Sequence, residues 1–255
     1  MRYAELLILG SGAALTDGTR EPTMLALRGQ QSTILIDCGS NPILQLQRLE
    51  VPIDSVERVI LTHSHPDHTS GFGLLIEMLW LSGRRRPIPI HGPADAIDVA
   101  RRLFAQWDTS DWRGLPALEW HEVPLQVGAV LAATLDFELT AAPGVHHVPV
   151  IGVRARHLSG GGVVVYSSDG EPSPGIQALA QGADLLVHEA TGSFGGHSSA
   201  EAAAQLARTA GVRRLLLVHI SAGAEEMERQ RRAAEQILGG KTGVAVGRDL
   251  DRYEF

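Results

Sequence analysis

A chain of 255 residues with 44% hydrophobic and 20% charged side chains can bury a substantial core, which excludes a disordered or low-complexity polymer. Its formal charge of −7 argues against a protein that holds nucleic acid mainly by releasing counterions. The lone Cys38 excludes an internal disulfide and a thiolate zinc site, and points to a reducing cytoplasm.

No stretch is long and apolar enough to span a bilayer, and the N-terminus lacks a basic segment followed by an apolar one, so a cytoplasmic protein away from membranes is expected. Residues 5–9 predict a buried first strand, stopped by Gly10-Ser11-Gly12. That Gly-x-Gly has no third glycine and no clear helix after it, so it reads as a tight turn rather than a nucleotide cradle. Residues 24–28 and 32–37 predict two strands joined by the turn Gly29-Gln30-Gln31. Asp37 closes the second of them and is expected to order a neighbouring loop rather than to bind an ion itself. Asn41-Pro42 opens a helix to about residue 49, because Asn caps well and Pro suits a first turn.

Residues 58–62 predict the next strand, and directly after it stand His63, His65, Asp67 and His68. Imidazole and carboxylate together suit zinc or a similar divalent ion, and a strand end can aim several side chains at one point. In an extended loop, alternate residues share a side, so His63 and His65 can hold one ion while Asp67 and His68 turn toward a second. Four side chains cannot complete two coordination spheres. More histidine and aspartate is therefore required at other strand ends.

Residues 71–81 predict a helix, 87–91 a strand and 94–106 a helix. Arg84-Arg85-Arg86 reads as a solvated helix end, and residues 107–116 as an irregular or lid-like segment. His91 and His121 stand alone on strand positions and are expected to pack rather than ligate. Strands are predicted at 118–123 and 136–141, before a loop that carries His146 and His147. Residues 150–156 and 162–168 predict a hairpin turning at Ser159-Gly160-Gly161, with Asp169 at its end and a Pro-rich loop beyond. A strand at 184–187 leads to His188-Glu189-Ala190-Thr191, and a glycine-rich loop carries His197. Ser198-Ser199-Ala200-Glu201 reads as a capping box for a helix to about residue 210. The apolar strand 214–218 ends in His219; a helix at 224–238 and a strand at 243–246 follow.

No internal repeat or linker divides residues 1–255, so one domain is expected. Strands come first and then alternate with helices, roughly once in each half, which predicts an α/β fold of two facing sheets with helices outside. Ligand arithmetic places His63, His65 and His146 on one ion and Asp67, His68 and His219 on the other, with Asp169 shared.

These motifs resemble the metallo-β-lactamase superfamily, whose signature His-x-His-x-Asp-His stands here at residues 63–68. More narrowly, the chain is similar to the ribonuclease Z-like and small phosphodiesterase branch. The matching residues are Leu9-Gly10-Ser11-Gly12, Asp37-Cys38-Gly39, His146-x-Val148-Pro149-x-x-Gly152, Ser168-Asp169, His188-Glu189-Ala190-Thr191, His197-Ser198-Ser199-Ala200 and Val218-His219. They span essentially the whole chain. The resemblance implies an αββα sandwich of two mixed sheets with helices on the outer faces, two zinc ions at a site on one edge, and a homodimer. Manganese or iron would be accepted by the same ligands. His146 fits the family spacing better than His147, the alternative ligand. The resemblance also makes Glu189 and His197 a carboxylate–histidine dyad supplying a general acid, and counts Asp67 with them among the catalytic residues.

One departure bears on the substrate. True tRNA 3′-end processing enzymes of this branch carry a long Gly/Pro-rich arm between the fifth ligand and the bridging aspartate, and here only residues 148–168 join the two. A chain with Cys38 alone also cannot copy the cysteine-bearing structural zinc of one small phosphodiesterase of the branch. The expected function is hydrolysis of a small or nucleotide-like phosphodiester by metal-activated hydroxide, without a strong nucleic-acid footprint. The same centre would serve a lactone or sulfate-ester hydrolase or an armless tRNA endonuclease. A non-hydrolytic cofactor-biosynthesis or binding protein is the remaining alternative.

Overall fold

The computed structural model describes residues 4–15, 17–221 and 223–255. Strands Glu5–Gly10 (β1), Met24–Arg28 (β2) and Thr33–Ile36 (β3) lead to helix Pro42–Arg48 (α1) and strand Val56–Ile60 (β4). A single turn, Pro66–Thr69 (α2), precedes Phe72–Leu81 (α3), Ile88–Gly92 (β5), Ala94–Phe104 (α4) and Leu118–Glu122 (β6). Next come Ala129–Ala133 (β7), Phe137–Pro143 (β8), Ile151–His157 (β9), Val163–Tyr166 (β10), Pro174–Leu179 (α5) and Leu185–Glu189 (β11). The chain closes with Ala200–Ala210 (α6), Arg214–Val218 (β12), Ala224–Leu238 (α7), Gly243–Val246 (β13) and Arg252–Glu254 (β14).

Among the described residues the strands form two sheets, ordered β14-β1-β2-β3-β4-β5-β6 and β13-β12-β11-β10-β9-β8-β7. Both are mixed. Pairing is parallel from β3 to β6 and from β10 to β13, and antiparallel elsewhere. Side chains alternate between faces, so Leu6 and Ile8 enter the core between the sheets while Leu7 and Leu9 pack beneath α1, α3 and α4. In β12, Leu216 and Val218 face inward, and Leu215 and Leu217 face the second helical layer, α5 to α7. Burial on both faces explains why these strands read as unbroken apolar runs. The result is the αββα sandwich expected from the sequence. No helix among the described residues is long and apolar enough to cross a membrane.

Several local expectations are corrected. β7 escapes the sequence reading because Ala-Val-Leu-Ala-Ala offers no polar alternation. β14 escapes it because it is short and polar, and it exists through pairing with β1, Leu6 opposite Tyr253. The Pro-rich loop after Asp169 contains α5, capped by Ser173, whose Oγ accepts from Ile176 N at 3.2 Å. Pro174 sits in the first turn, where a missing N–H costs nothing. The N-cap of α6 is Ser199, accepting from Ala202 N, so the Ser198–Glu201 capping box does not form. Ser198 Oγ donates instead to Gly170 O at 2.7 Å. Residues 107–116 are irregular, as expected, and brace the outer helices. Trp112 stacks on Trp80 at 4.7 Å, and Trp80 Nε1 donates to the Arg113 carbonyl.

The loop after β3 packs backbone against backbone on α2: Cys38 N donates to His68 O and Gly71 N to Cys38 O. A Cβ on Gly39 would fall inside the Asp67 carbonyl. Gly39→Ala should therefore cost about 2–3 kcal/mol and lower Tm by about 5–10 °C in calorimetry. An unchanged Tm would show that the loop can shift freely.

Candidate metal centre and active site

Parallel strands end together at one rim of the sandwich, and the polar residues just past β4, β10, β11 and β12 meet there. Residues 62–65 leave β4 extended. His65 then serves as N-cap of α2 (φ −63, ψ 150) with Pro66 in the first turn. The expectation of an extended loop through His68 is thus corrected: Asp67 and His68 sit on a helical turn. The helical turn, not strand alternation, swings them away from His63 and His65.

His65 Nδ1 lies 3.2 Å from His63 Nε2 and 3.1 Å from His146 Nε2. The outer nitrogens are engaged: His63 Nδ1 donates to Thr62 Oγ1 at 3.1 Å and His146 Nδ1 to Gly196 O at 2.6 Å. The inner nitrogens of His63 and His146 are therefore left as lone pairs turned toward His65 Nδ1. A tetrahedral ion with metal–nitrogen bonds of about 2.0–2.1 Å would separate its nitrogens by roughly 3.3 Å, close to what is seen.

The second group gathers around Asp169. Its Oδ2 lies 3.2 Å from His219 Nε2, 3.5 Å from His68 Nε2 and 4.0 Å from His63 Nε2. Asp67 Oδ2 is 3.3 Å from His219 Nε2 and 3.5 Å from His68 Nε2. Again the outer nitrogens are held, His68 Nδ1 donating to Asp37 Oδ2 at 2.8 Å and His219 Nδ1 to Thr191 Oγ1 at 2.7 Å. His68 Nε2 and Asp169 Oδ1 are buried without a hydrogen bond. Buried polar atoms without partners are rare, and an ion would satisfy both. The donor set fits two divalent ions: His63, His65 and His146 in one group, and Asp67, His68, Asp169 and His219 in the other.

Electrostatics agree. Burial, with His68 nearby, holds His63 well below the usual imidazole range. Burial alone would lower His68 too, but the flanking Asp169 and Asp37 carboxylates push it well above that range. Burial would raise Asp169, yet His219 and His68 hold it well down. The carboxylates thus draw positive charge to the position of His68 Nε2, the place a cation would take.

Asp37 takes the orienting place expected of it. Its Oδ1 accepts from Thr62 N at 2.7 Å, and its Oδ2 from Thr62 Oγ1 and His68 Nδ1, both at 2.8 Å. Asp37, Ser168 and His219 all adopt left-handed φ (64, 56 and 56°), the kind of strain that clusters at functional sites. Asp37→Asn keeps the shape and tolerates that φ but loses acceptors. Metal affinity, read by chelator competition, should fall about 10- to 100-fold.

Glu189, fully buried at the end of β11, accepts from Gly170 N (2.8 Å) and His197 Nδ1 (2.9 Å) on Oε1 and from Thr191 N (2.9 Å) on Oε2. Its hydrogen bond raises His197 above the usual imidazole value, against the opposing effect of burial. The His197 ring is 5.0 Å from His146 and 5.9 Å from His219, beside both groups. Some sets of donor atoms near enough for an ion include His197, but Glu189 occupies its Nδ1.

His147 lies outside the cluster; its Nε2 donates to Gly195 O at 2.9 Å. His91 and His121 stack on each other at 4.6 Å, and burial with Arg58 alongside takes His91 down to about 4. The sequence reading missed the orienting roles of Thr62, Thr191 and Ser168, whose Oγ donates to Thr62 Oγ1 at 2.7 Å. Thr62 adjoins His63, and Ser168 and Thr191 stand within the family motifs, but no motif tells which imidazole each would hold.

Comparison with known proteins gives concordant results. The family model for the beta-lactamase superfamily domain matches residues 32–220. A ribonuclease Z from Methanothermobacter thermautotrophicus is 28% identical, covering 92% of this chain and 92% of that protein. Their alignment runs over 289 positions against the 255 residues here, so the relative holds segments this chain lacks. Among solved structures, the metallo-beta-lactamase fold protein YhfI from Bacillus subtilis has a TM-score of 0.82 at 22% identity, covering 99% of each chain. A diphosphatase from the PhnP family has a TM-score of 0.77 at 19% identity, covering 99% of this chain and 98% of that one. At such identities these two structures establish the fold.

Proposed function

The chain belongs to the beta-lactamase superfamily and is a hydrolase, and from that premise we propose that it is a dinuclear phosphodiesterase acting on small or nucleotide-like diesters. The reading includes a single domain, two zinc ions and a homodimer. The observation that carries it is the Glu189–His197 pair at 2.9 Å beside both groups of candidate ligands. An alkoxide leaving a phosphodiester requires a proton, and this pair is placed to supply one.

His63, His65 and His146 would hold one ion and Asp67, His68 and His219 the other, with Asp169 common to both. Bound there, divalent ions supply Lewis acidity toward the phosphoryl oxygens and lower the pKa of water to serve as nucleophile. Thr62, Asp37, Thr191 and the Gly196 carbonyl each fix one imidazole with its free nitrogen inward. Glu189 holds the Nδ1 proton of His197, so the other ring nitrogen can carry and give up a proton to the departing oxygen.

The relative named ribonuclease Z supports a second reading, a tRNA 3′-endonuclease without the arm. Zinc-loaded protein assayed with bis(4-nitrophenyl) phosphate, cyclic nucleotides, a lactone, an aryl sulfate and a precursor tRNA separates these. The expected result is turnover of small diesters. Preference for the lactone or the sulfate would overturn it, and tRNA cleavage alone would favour the endonuclease.

A further inference from the structure

Phe194 belongs to neither group of candidate ligands and is not part of the Glu189–His197 pair. Its side chain is 55% exposed, although its ring lies 4.9 Å from the ring of His197. The two are ends of one tight turn, Phe194-Gly195-Gly196-His197, in which His197 N donates to Phe194 O at 3.0 Å. The planes meet at 53°, so the imidazole does not cover the phenyl face.

The turn is pinned from several sides. His146 Nδ1 and His147 Nε2 donate to the Gly196 and Gly195 carbonyls, and Gly196 N donates to Glu171 Oε1 at 2.8 Å. Gly192 N donates to Ser198 O at 3.0 Å, closing the loop at its base. An exposed aromatic ring on an otherwise immobilised turn loses little entropy when it receives a partner. The charge of the surroundings narrows what that partner is. Residues 62–71, 143–150, 167–173, 189–200 and 219–223, which carry every candidate ligand and the dyad, contain no Lys or Arg. Two arginines border these loops: Arg20 donates to the Ile220 carbonyl and pairs with Asp17 at 3.1 Å, and Arg229 shares a pocket with Thr191, Gly192 and Ser193 while pairing with Glu226. A polyphosphate or a nucleic-acid backbone would find no row of cations here.

Building on the phosphodiesterase reading, we infer that Phe194 is the stacking platform for a planar, uncharged substituent on the leaving oxygen. The substrate class is then a diester of one phosphate bearing a nucleoside-like group. The phenyl ring stands beside the proton donor, so the stacked substituent is the one whose oxygen His197 protonates. Stacking of a base on an aromatic side chain is worth about 5- to 150-fold in affinity.

Two ligands that differ only by the base make the test: adenosine 5′-monophosphate and ribose 5-phosphate, titrated calorimetrically into zinc-loaded protein. Wild-type protein should bind the nucleotide about 5- to 150-fold more tightly than the sugar phosphate. Phe194→Ala should bring that ratio close to one without changing affinity for ribose 5-phosphate, and Phe194→Trp should restore it. Equal affinities in the wild type, or an unchanged ratio in Phe194→Ala, would overturn the inference. The readout is independent of turnover. If the diester panel fails while the ratio holds, the phosphodiesterase reading falls and the platform stands; the opposite pattern removes the platform alone.

Discussion

Asp169→Ala should strip the centre of at least one ion and lower phosphodiester turnover by about a thousandfold or more. Its Oδ2 faces His63 in one group and His68 and His219 in the other, at 3.2–4.0 Å. The residue is 2% exposed, so water cannot substitute cheaply for the lost carboxylate. Removing it leaves three inward-facing imidazole nitrogens without their shared anion, and each ion would then see mostly neutral donors. Lewis-acid stabilisation of the transition state amounts to several kcal/mol, about three powers of ten in rate. Elemental analysis per chain and kcat/KM on one diester are the measurements, with His91→Ala as the control outside the site. Two retained ions with a rate within tenfold of wild type would remove Asp169 from the centre.

Part of this centre is legible in the sequence, for a physical reason. His63, His65, Asp67 and His68 are neighbours in the chain, so spacing alone groups them. Asp169 and His219 are distant, but each follows an apolar run, and the C-terminal ends of parallel strands gather at one rim; His146 follows β8, which alternates and pairs antiparallel, and only the incomplete ligand set points to it. The supporting shell was not legible in the same way. Thr191 orients His219 across 28 residues, and the Gly196 carbonyl orients His146 across 50. A threonine hydroxyl or a main-chain oxygen has no sequence signature for such work; the partnership arises from how the loops close. The same holds for β14, a polar triplet that becomes a strand through the unpaired edge of β1. Phe194 reads as an ordinary apolar residue until its exposure is known.

His197→Ala tests the chemistry rather than the metal. His197 lies outside both groups of candidate ligands, so both ions should stay. Turnover of diesters with alkyl or nucleoside leaving groups should fall by about 10²- to 10⁴-fold, the usual worth of a positioned general acid. With 4-nitrophenolate leaving, which departs without a proton, the loss should be under about tenfold. A merely structural residue would depress both classes alike, and that outcome would dismiss the acid role. Glu189 gives the accompanying pH signature. Its hydrogen bond raises His197, so the protonated, acid-competent form persists above the ordinary imidazole value and activity declines only as pH rises through the elevated one. Glu189→Gln replaces a charged acceptor with a neutral amide, which must move that alkaline limb toward lower pH. Because Glu189 also accepts from Gly170 N and Thr191 N, the variant should lose about 1–3 kcal/mol of stability as well. The position of the limb is therefore diagnostic where the amplitude is not: an unmoved limb with a smaller rate would leave Glu189 as a loop anchor only.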